Sequence, residues 1–378
     1  MDMYFYLIIT WWLLLGVLLM GVGAMVGMDM GVGTVLRYVG RTDLDRKVIL
    51  RIIGPHWDGN QVWFVLGGGA LFAAWPLVYA TAFSGFYIVM LILLWSMIVR
   101  PLGFEYRNQL PSGSWRSLWD WSLFVSGFVP MLIFGAAIGN VLLGVPFHFD
   151  GRLVSYYTGS FLALFNPYAI LCGLVSVMLA IYMGASMILV GSGEPTISQR
   201  ALRAALFSGV AALVLLTIGG IWSATLPGFE LVQSPAPGIQ QTPLHQTVAT
   251  VPGGLLQNYA KYPALWALPA LAYVALFFGM WALRRGRAVV GWWSGVVTWV
   301  AVLSMVGAVM FPFILPSSTQ PSHSLTVWNS GASTLTMGWM LGFTVIFMPI
   351  IVTYTSWAFY IMRGKVDSEQ VQSSKQSY

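Results

Sequence analysis

A histidine, a carboxylate and two carboxamides stand together in the run Pro55-His-Trp-Asp-Gly-Asn-Gln61. An uncharged apolar stretch, Val62 to Trp75, follows directly and reads as membrane-spanning. Asp58 therefore stands at the mouth of a membrane helix. A charged side chain costs about 2.5–3.5 kcal/mol at mid-membrane depth and less near the interface, so acids placed there are usually partnered and often handle protons. Asn60 and Gln61 can hold a proton-conducting chain of water beside it, and His56 and Trp57 complete the polar cluster. Capping is the local alternative, because Pro55 and the following helix suit Asp58 as an N-cap. Gln61, three residues on, is compatible with a capping box. On local grounds the cap is the stronger single role, and the two roles are compatible.

Two further acids join Asp58 as candidates for proton transfer. Asp29 lies in the first apolar segment, eight residues or about 12 Å before Arg37. Gly23, Gly27 and Gly31 recur every fourth residue and form a small-residue seam that lets helix backbones approach. Asp29 projects about 200° away from that seam, on the side of Met25 and Gly33. It either bonds a neighbouring helix for assembly or relays protons, and the residues leave these readings level. Glu105 follows in Arg100-Pro-Leu-Gly-Phe-Glu-Tyr-Arg107, where an ion pair between Glu105 and Arg107 is expected. Asp120 lies between Trp119 and Trp121, which read as an interfacial anchor belt.

His56 falls on the inner side, whereas His148, His245 and His323 fall in outer loops. No two can meet at membrane depth to hold a haem between facing helices. No Cys/His cluster or phosphate-cradling glycine loop occurs, so no metal site is expected. Gly67-Gly68-Gly69 reads as a packing site or a local break.

These residues must be positioned by membrane helices. Of the 378 residues 58% are hydrophobic and 8% charged, against roughly 25% charge in a soluble domain. This excludes a soluble protein. Nine segments are expected to span, at about 7–35, 57–75, 78–99, 119–143, 160–190, 202–225, 264–283, 289–315 and 333–361. Trp75-Pro76 divides the second from the third. With the N-terminus outside, 16 of the 18 basic residues fall on the inner side and only Arg152 and Lys261 outside. The +6 net charge is thus explained by topology, and nucleic acid is excluded as a partner. No basic residue precedes Arg37 and no cleavage site follows the first apolar run, so a retained first helix is expected. Residues 1–363 form a single transmembrane domain. The proline-rich stretch 226–263 reads as an irregular external loop, and 364–378 as a mobile polar tail inside. Cys172 is alone and forms no intrachain disulfide.

Longer stretches carry a family resemblance: Trp11-Trp12-Leu-Leu, Met28-Asp29-Met-Gly-Val-Gly, Pro55 to Trp63, Gly68 to Pro76, Ala82 to Tyr87, Arg100 to Arg107, Gly139 to Pro146, Phe311-Pro-Phe and Pro316-Ser-Ser. Together these blocks resemble subunit II of cytochrome bd-type quinol oxidases over essentially the whole chain. The resemblance implies an all-α polytopic fold with nine transmembrane helices, arranged as two four-helix bundles plus one peripheral helix, in the bacterial cytoplasmic (inner) membrane. It implies a haem-free chain whose partner, subunit I, carries haems b and d and oxidises quinol while reducing dioxygen to water. Asp58 would supply protons toward those haems. Quinone and lipid are implied ligands, and small single-helix accessory subunits are further partners to be considered. Two positions depart from the family pattern. Val26 replaces the first Asp of Asp-Gly-Phe-Asp, and Glu105 stands where Asp is usual. Outside this resemblance, intramembrane acids and glycine-broken helices also fit a proton-coupled secondary transporter. A purely structural scaffold subunit is the third reading.

Overall fold

The computed structural model describes residues 3–233 and 242–373. Among these, eight helical stretches are long and apolar enough to cross a membrane. The first, Met3–Val39, is α1 (Met3–Gly21), a π-helical turn (Val22–Val26) and α2 (Gly27–Val39). A short α3 (Asp43–Ile53) follows, started by a capping box in which Thr42 and Asp45 answer each other's backbone N–H. Then comes α4 (Trp57–Ala74), 18 residues long and outside the eight. Its polar first turn lowers its apolar length. Proline ends it at Trp75 and opens α5 (Pro76–Gly85), as expected from the sequence.

The expected third span is broken in two. After α5 the chain turns at Phe86 and restarts as α6 (Tyr87–Tyr106). The long helix α7 (Gly113–Leu143) leads to the hairpin β1 (Phe147–Phe149) and β2 (Ser155–Tyr157). Next are α8 (Pro167–Gly191) and α9 (Pro195–Ser223). Asn166 caps α8 by accepting from the Ala169 N–H at 2.8 Å, with Pro167 in the first turn.

The described part of the stretch 226–263 carries regular structure. It pairs β3 (Gly228–Gln233) with β4 (Thr247–Val251) and adds the helical turn α10 (Gln257–Lys261). Antiparallel pairing of β3 with β4 satisfies backbone groups that prolines alone would leave open. Pro235 and Pro237 lie outside the described residues. Helices α11 (Ala267–Arg284) and α12 (Ala288–Met310) precede a third hairpin, β5 (Phe313–Leu315) with β6 (Leu325–Thr326). The last long helix, α13 (Thr334–Ile361), buries only Met337. Trp11 of α1 donates to the Met337 carbonyl at 3.0 Å and holds it in place.

Nor is residue range 364–373 a free tail. Val366 pairs with the Gly191–Gly193 backbone, and Ser368 donates from its N–H and its hydroxyl to Glu194. This starts α14 (Ser368–Ser373), which packs on α3. Lys375 and the rest of the expected tail fall outside the described residues.

The core is centred on α2 and α8. The expected glycine seam is present: Gly23 and Gly27 face Trp299, and a Cβ on Gly31 would stand 1.8 Å from the Ala180 carbonyl oxygen. By contrast, Gly67-Gly68-Gly69 neither breaks α4 nor makes a close contact. These glycines line an open trough instead.

Candidate functional site

One end of the helix array carries nearly all its charge; the other carries the three hairpins. The charged end is held by a buried ion network. Arg107, fully buried, donates from Nε to Asp120 Oδ1 at 2.7 Å and from Nη2 to Asp43 Oδ1 at 2.9 Å. Arg46 reaches the other Asp120 oxygen at 2.6 Å. Arg116 and Lys47 complete Asp43 at 3.0 and 3.4 Å, and Arg200 joins Asp45 at 2.7 Å. The network ties α3, the end of α6 and the starts of α7 and α9 into one unit.

The expected Glu105–Arg107 pair is therefore absent. Glu105 is exposed, and Arg107 turns inward to Asp120 and Asp43. Two residues apart on a helix, they project about 200° from each other. Asp120 was missed because its tryptophan neighbours already explained the segment. The signal available was an acid one helical turn from Arg116 and 13 residues from Arg107.

Around Asp43 burial pushes the carboxyl up, but Arg107, Lys47 and Arg116 outweigh it and hold the group below its ordinary value. Burial likewise pushes Asp45 up, and hydrogen bonds from Arg200 and Thr42 with the Arg200 charge bring it down. A carboxyl lowered on folding stabilises the fold above its unfolded value, about 3.9, and that stability is lost as pH falls through the folded value. The purified protein should therefore melt at progressively lower temperature below about pH 4, and Asp43→Asn should flatten that dependence. A thermal-shift series from pH 7 to pH 3 in both forms measures it; parallel curves would remove Asp43 from the account.

The candidate polar cluster is distributed over two faces of α4. His56 is the N-cap residue and Asp58 stands in the first turn, with no side-chain bond capping the helix. The capping role expected for Asp58 is thus not the one adopted, although the helix dipole favours an acid there. Asp58 is exposed and lines the trough with Gln61. Asn60 points the other way, buried, toward Asp29. Trp57 stacks on Phe104 with centroids 4.7 Å apart, and His56 stacks on Phe359 of α13 at 3.9 Å. The aromatic partners fix the α3–α4 turn against α6 and α13.

Asp29 is 1% exposed, and neither of its oxygens closes a hydrogen bond. Its surroundings include Asn60 and, unforeseen from the sequence, the fully buried Arg100 of α6. Val26 is also fully buried, in apolar packing.

The trough holds about 1770 Å³ and is walled by α1, α4, α5, α6, α7 and α12. Its lining is apolar over most of its length, with Asp58 and Gln61 among the few polar residues and Asn258 and Tyr262 from the hairpin end.

A metal or haem would need a converging ligand set. Among the described residues no group of three His, Cys, Asp or Glu side chains converges. Of the histidines at the hairpin end, His148 stacks on Tyr156, His245 meets Thr242 at 3.0 Å, and His323, within electrostatic reach of His148, accepts at Nδ1 from the Phe149 N–H at 2.9 Å.

Residues 7–362 match the family described as cytochrome bd terminal oxidase subunit II. The chain is 41% identical to cytochrome bd-I ubiquinol oxidase subunit 2 of Escherichia coli (strain K12), covering 97% of each. It is 39% identical to the probable cytochrome oxidase subunit 2 of Haemophilus influenzae, covering 99% of each. In structure it resembles a chain of the bd oxidase from Geobacillus thermodenitrificans, with a TM-score of 0.63 at 13% identity, over 95% of this chain and 100% of that one. A matching family over nearly the whole chain, relatives near 40% identity and a shared fold lead to one conclusion: the chain belongs to the cytochrome bd terminal oxidase subunit II family and is part of an enzyme complex.

Proposed function

We propose that this chain is the haem-free subunit II of a quinol:oxygen oxidoreductase, and that it supplies protons through Asp58 to the oxygen-reducing centre of its partner. The single observation carrying this is the position of Asp58, exposed on an apolar helix face at the edge of the trough. Val62, Val65 and Phe72 continue that face along α4, and Leu94, Trp95 and Ile98 extend it on α6. A carboxylate left among lipid there would be costly. Coverage by a protein partner, the haem-bearing subunit I, removes the cost and gives the acid a function.

In this reading the charged end is cytoplasmic, by the excess of arginine and lysine it carries. The N-terminus lies outside, the nine helices including α4 cross the inner membrane as two four-helix bundles, and the thinly packed α13 is the peripheral helix. Haems b and d, held by subunit I, supply the electron transfer and oxygen chemistry. The present chain contributes a proton-bearing carboxylate, the scaffold that positions it, and an apolar trough suited to a quinone tail or lipid. Asp29 is a second, internal acid of the same path. Glu105, exposed at the charged end, is a proton collector.

Asp58→Asn keeps shape and removes the exchangeable proton. In the assembled complex it should lower turnover per haem by about 100-fold, the scale of one lost proton-transfer group, while haem content stays unchanged. Visible spectra and oxygen uptake on the same preparation measure both. Lost haem with normal turnover per remaining haem would make Asp58 an assembly residue instead.

A further inference from the structure

Two opposite charges lie inside the helix packing around α2 and do not touch. Asp29 leaves both oxygens unpartnered. Arg100 is 0% exposed; its guanidinium lies over the Phe104 ring at 5.5 Å, its Nη1 donates to the Met30 thioether at 3.2 Å, and its Nε and Nη2 have no hydrogen-bond partner. Asn60, 2% exposed, adds an unpartnered Nδ2, and Gln61 beside it an unpartnered Nε2. Asp29 nonetheless feels the charge of Arg100 and the amide of Asn60. The charged end behaves differently, where Arg107 grips Asp120 at 2.7 Å.

A thioether is a weak acceptor and cannot satisfy a guanidinium. Buried charges left unpaired are among the costliest features a fold can carry. Opposite charges within electrostatic reach, each with free hydrogen-bonding capacity, are bridged by water when two to four polar partners converge on it. Here two carboxylate oxygens, two guanidinium nitrogens and one carboxamide nitrogen are left with that capacity. Glycine makes the approach possible: Gly33 stands one turn from Asp29, and a Cβ there would lie 2.8 Å from the Leu123 carbonyl and 3.7 Å from Arg100 Nη1.

We propose that Asp29, Asn60 and Arg100 bind a small cluster of water inside the bundle, and that Arg100 is the positioning residue that keeps Asp29 hydrated. The first turn of α4 connects this site to the trough, since Asn60 faces Asp29 and Gln61 lines the trough beside Asp58. Asp29 is thereby a solvent-exchanging acid despite its burial. The inference rests on the proton-delivery reading for its purpose, and on the unpartnered atoms for its existence.

A density map of the assembled complex that resolves water should show ordered density between Asp29 and Arg100. A direct two-bond Asp29–Arg100 pair with no water would overturn the site. Infrared difference spectra on transfer from H2O to D2O test the role. The carboxyl signal absent from Asp29→Asn should exchange in the wild-type complex, and Arg100→Gln should slow that exchange roughly tenfold or more. An unchanged exchange rate overturns the positioning role. If single variants accumulate poorly, Asp29→Asn/Arg100→Gln, which leaves no lone buried charge, should restore complex yield; a double variant as scarce as the singles counts against the pairing. Asp58→Asn should leave the Asp29 signal intact, so a failure of the proton-delivery reading shows as unchanged turnover there and is separate from these outcomes.

Discussion

Arg107→Met should prevent the complex from accumulating at normal levels. Arg107 is fully buried and binds two acids at once, of which Asp120 is itself fully buried. Methionine fills much of the same space but leaves Asp120 with Arg46 alone. Removing one partner of a buried ion pair costs about 3–5 kcal/mol, because the surviving charge remains out of water. Against a total stability on the order of 5–15 kcal/mol this is a large fraction. Arg107→Lys keeps the charge but loses the planar fork that reaches Asp43 and Asp120 together, so it should fall between wild type and Arg107→Met. Quantified membrane levels and melting temperature of the purified complex are the readouts. Wild-type melting in Arg107→Met would show that Arg46 alone satisfies Asp120.

Gly184→Leu should likewise prevent accumulation of the complex. A Cβ on Gly184 would stand 2.3 Å from the Gly31 carbonyl carbon and from the Val32 nitrogen, and both are backbone. No rotamer change relieves that overlap, so α2 and α8 must separate. Overpacking commonly costs about 1–3 kcal/mol, and more where backbone must move. Separation of α2 would also displace Asp29 from Arg100 and Asn60. Gly220→Ala on α9 is the control, since nothing lies within 4 Å of a Cβ there. The expected result is no recoverable complex for Gly184→Leu and normal recovery for Gly220→Ala. Recovery of a normally melting Gly184→Leu complex would mean that the α2–α8 contact is looser than its geometry.

The departure at Val26 is explained by its surroundings. With no exposure and apolar neighbours, an acid there would be an added buried charge, whereas valine packs. A single first-helix acid, Asp29, is then matched by a single arginine, Arg100.

Much of this was legible in the amino-acid order because the membrane imposes strong local rules. Long apolar runs, the proline after Trp75 and the four-residue glycine spacing each act through the backbone of one segment, so each can be read without its neighbours. The family blocks from Pro55 to Tyr87 carried the functional assignment for the same reason. Partner choice could not be read in this way. Glu105 stands two residues from Arg107 and does not meet it, while Asp120 and Asp43, 13 and 64 residues away, do. Asp58 and Asn60 are two residues apart and serve opposite faces of α4. Arg100 comes within electrostatic reach of Asp29, 71 positions away in sequence, only because α7 packs on α2 at Gly33 through the Leu123 backbone and the Arg100 side chain enters beside it. The order of residues determined which long segments are apolar enough to cross a membrane and where their acids lie along them. Tertiary packing alone decided which acids are paired, which are buried without a partner and which are exposed, because a charge buried in low dielectric is governed by whatever opposite charge or dipole the fold brings beside it.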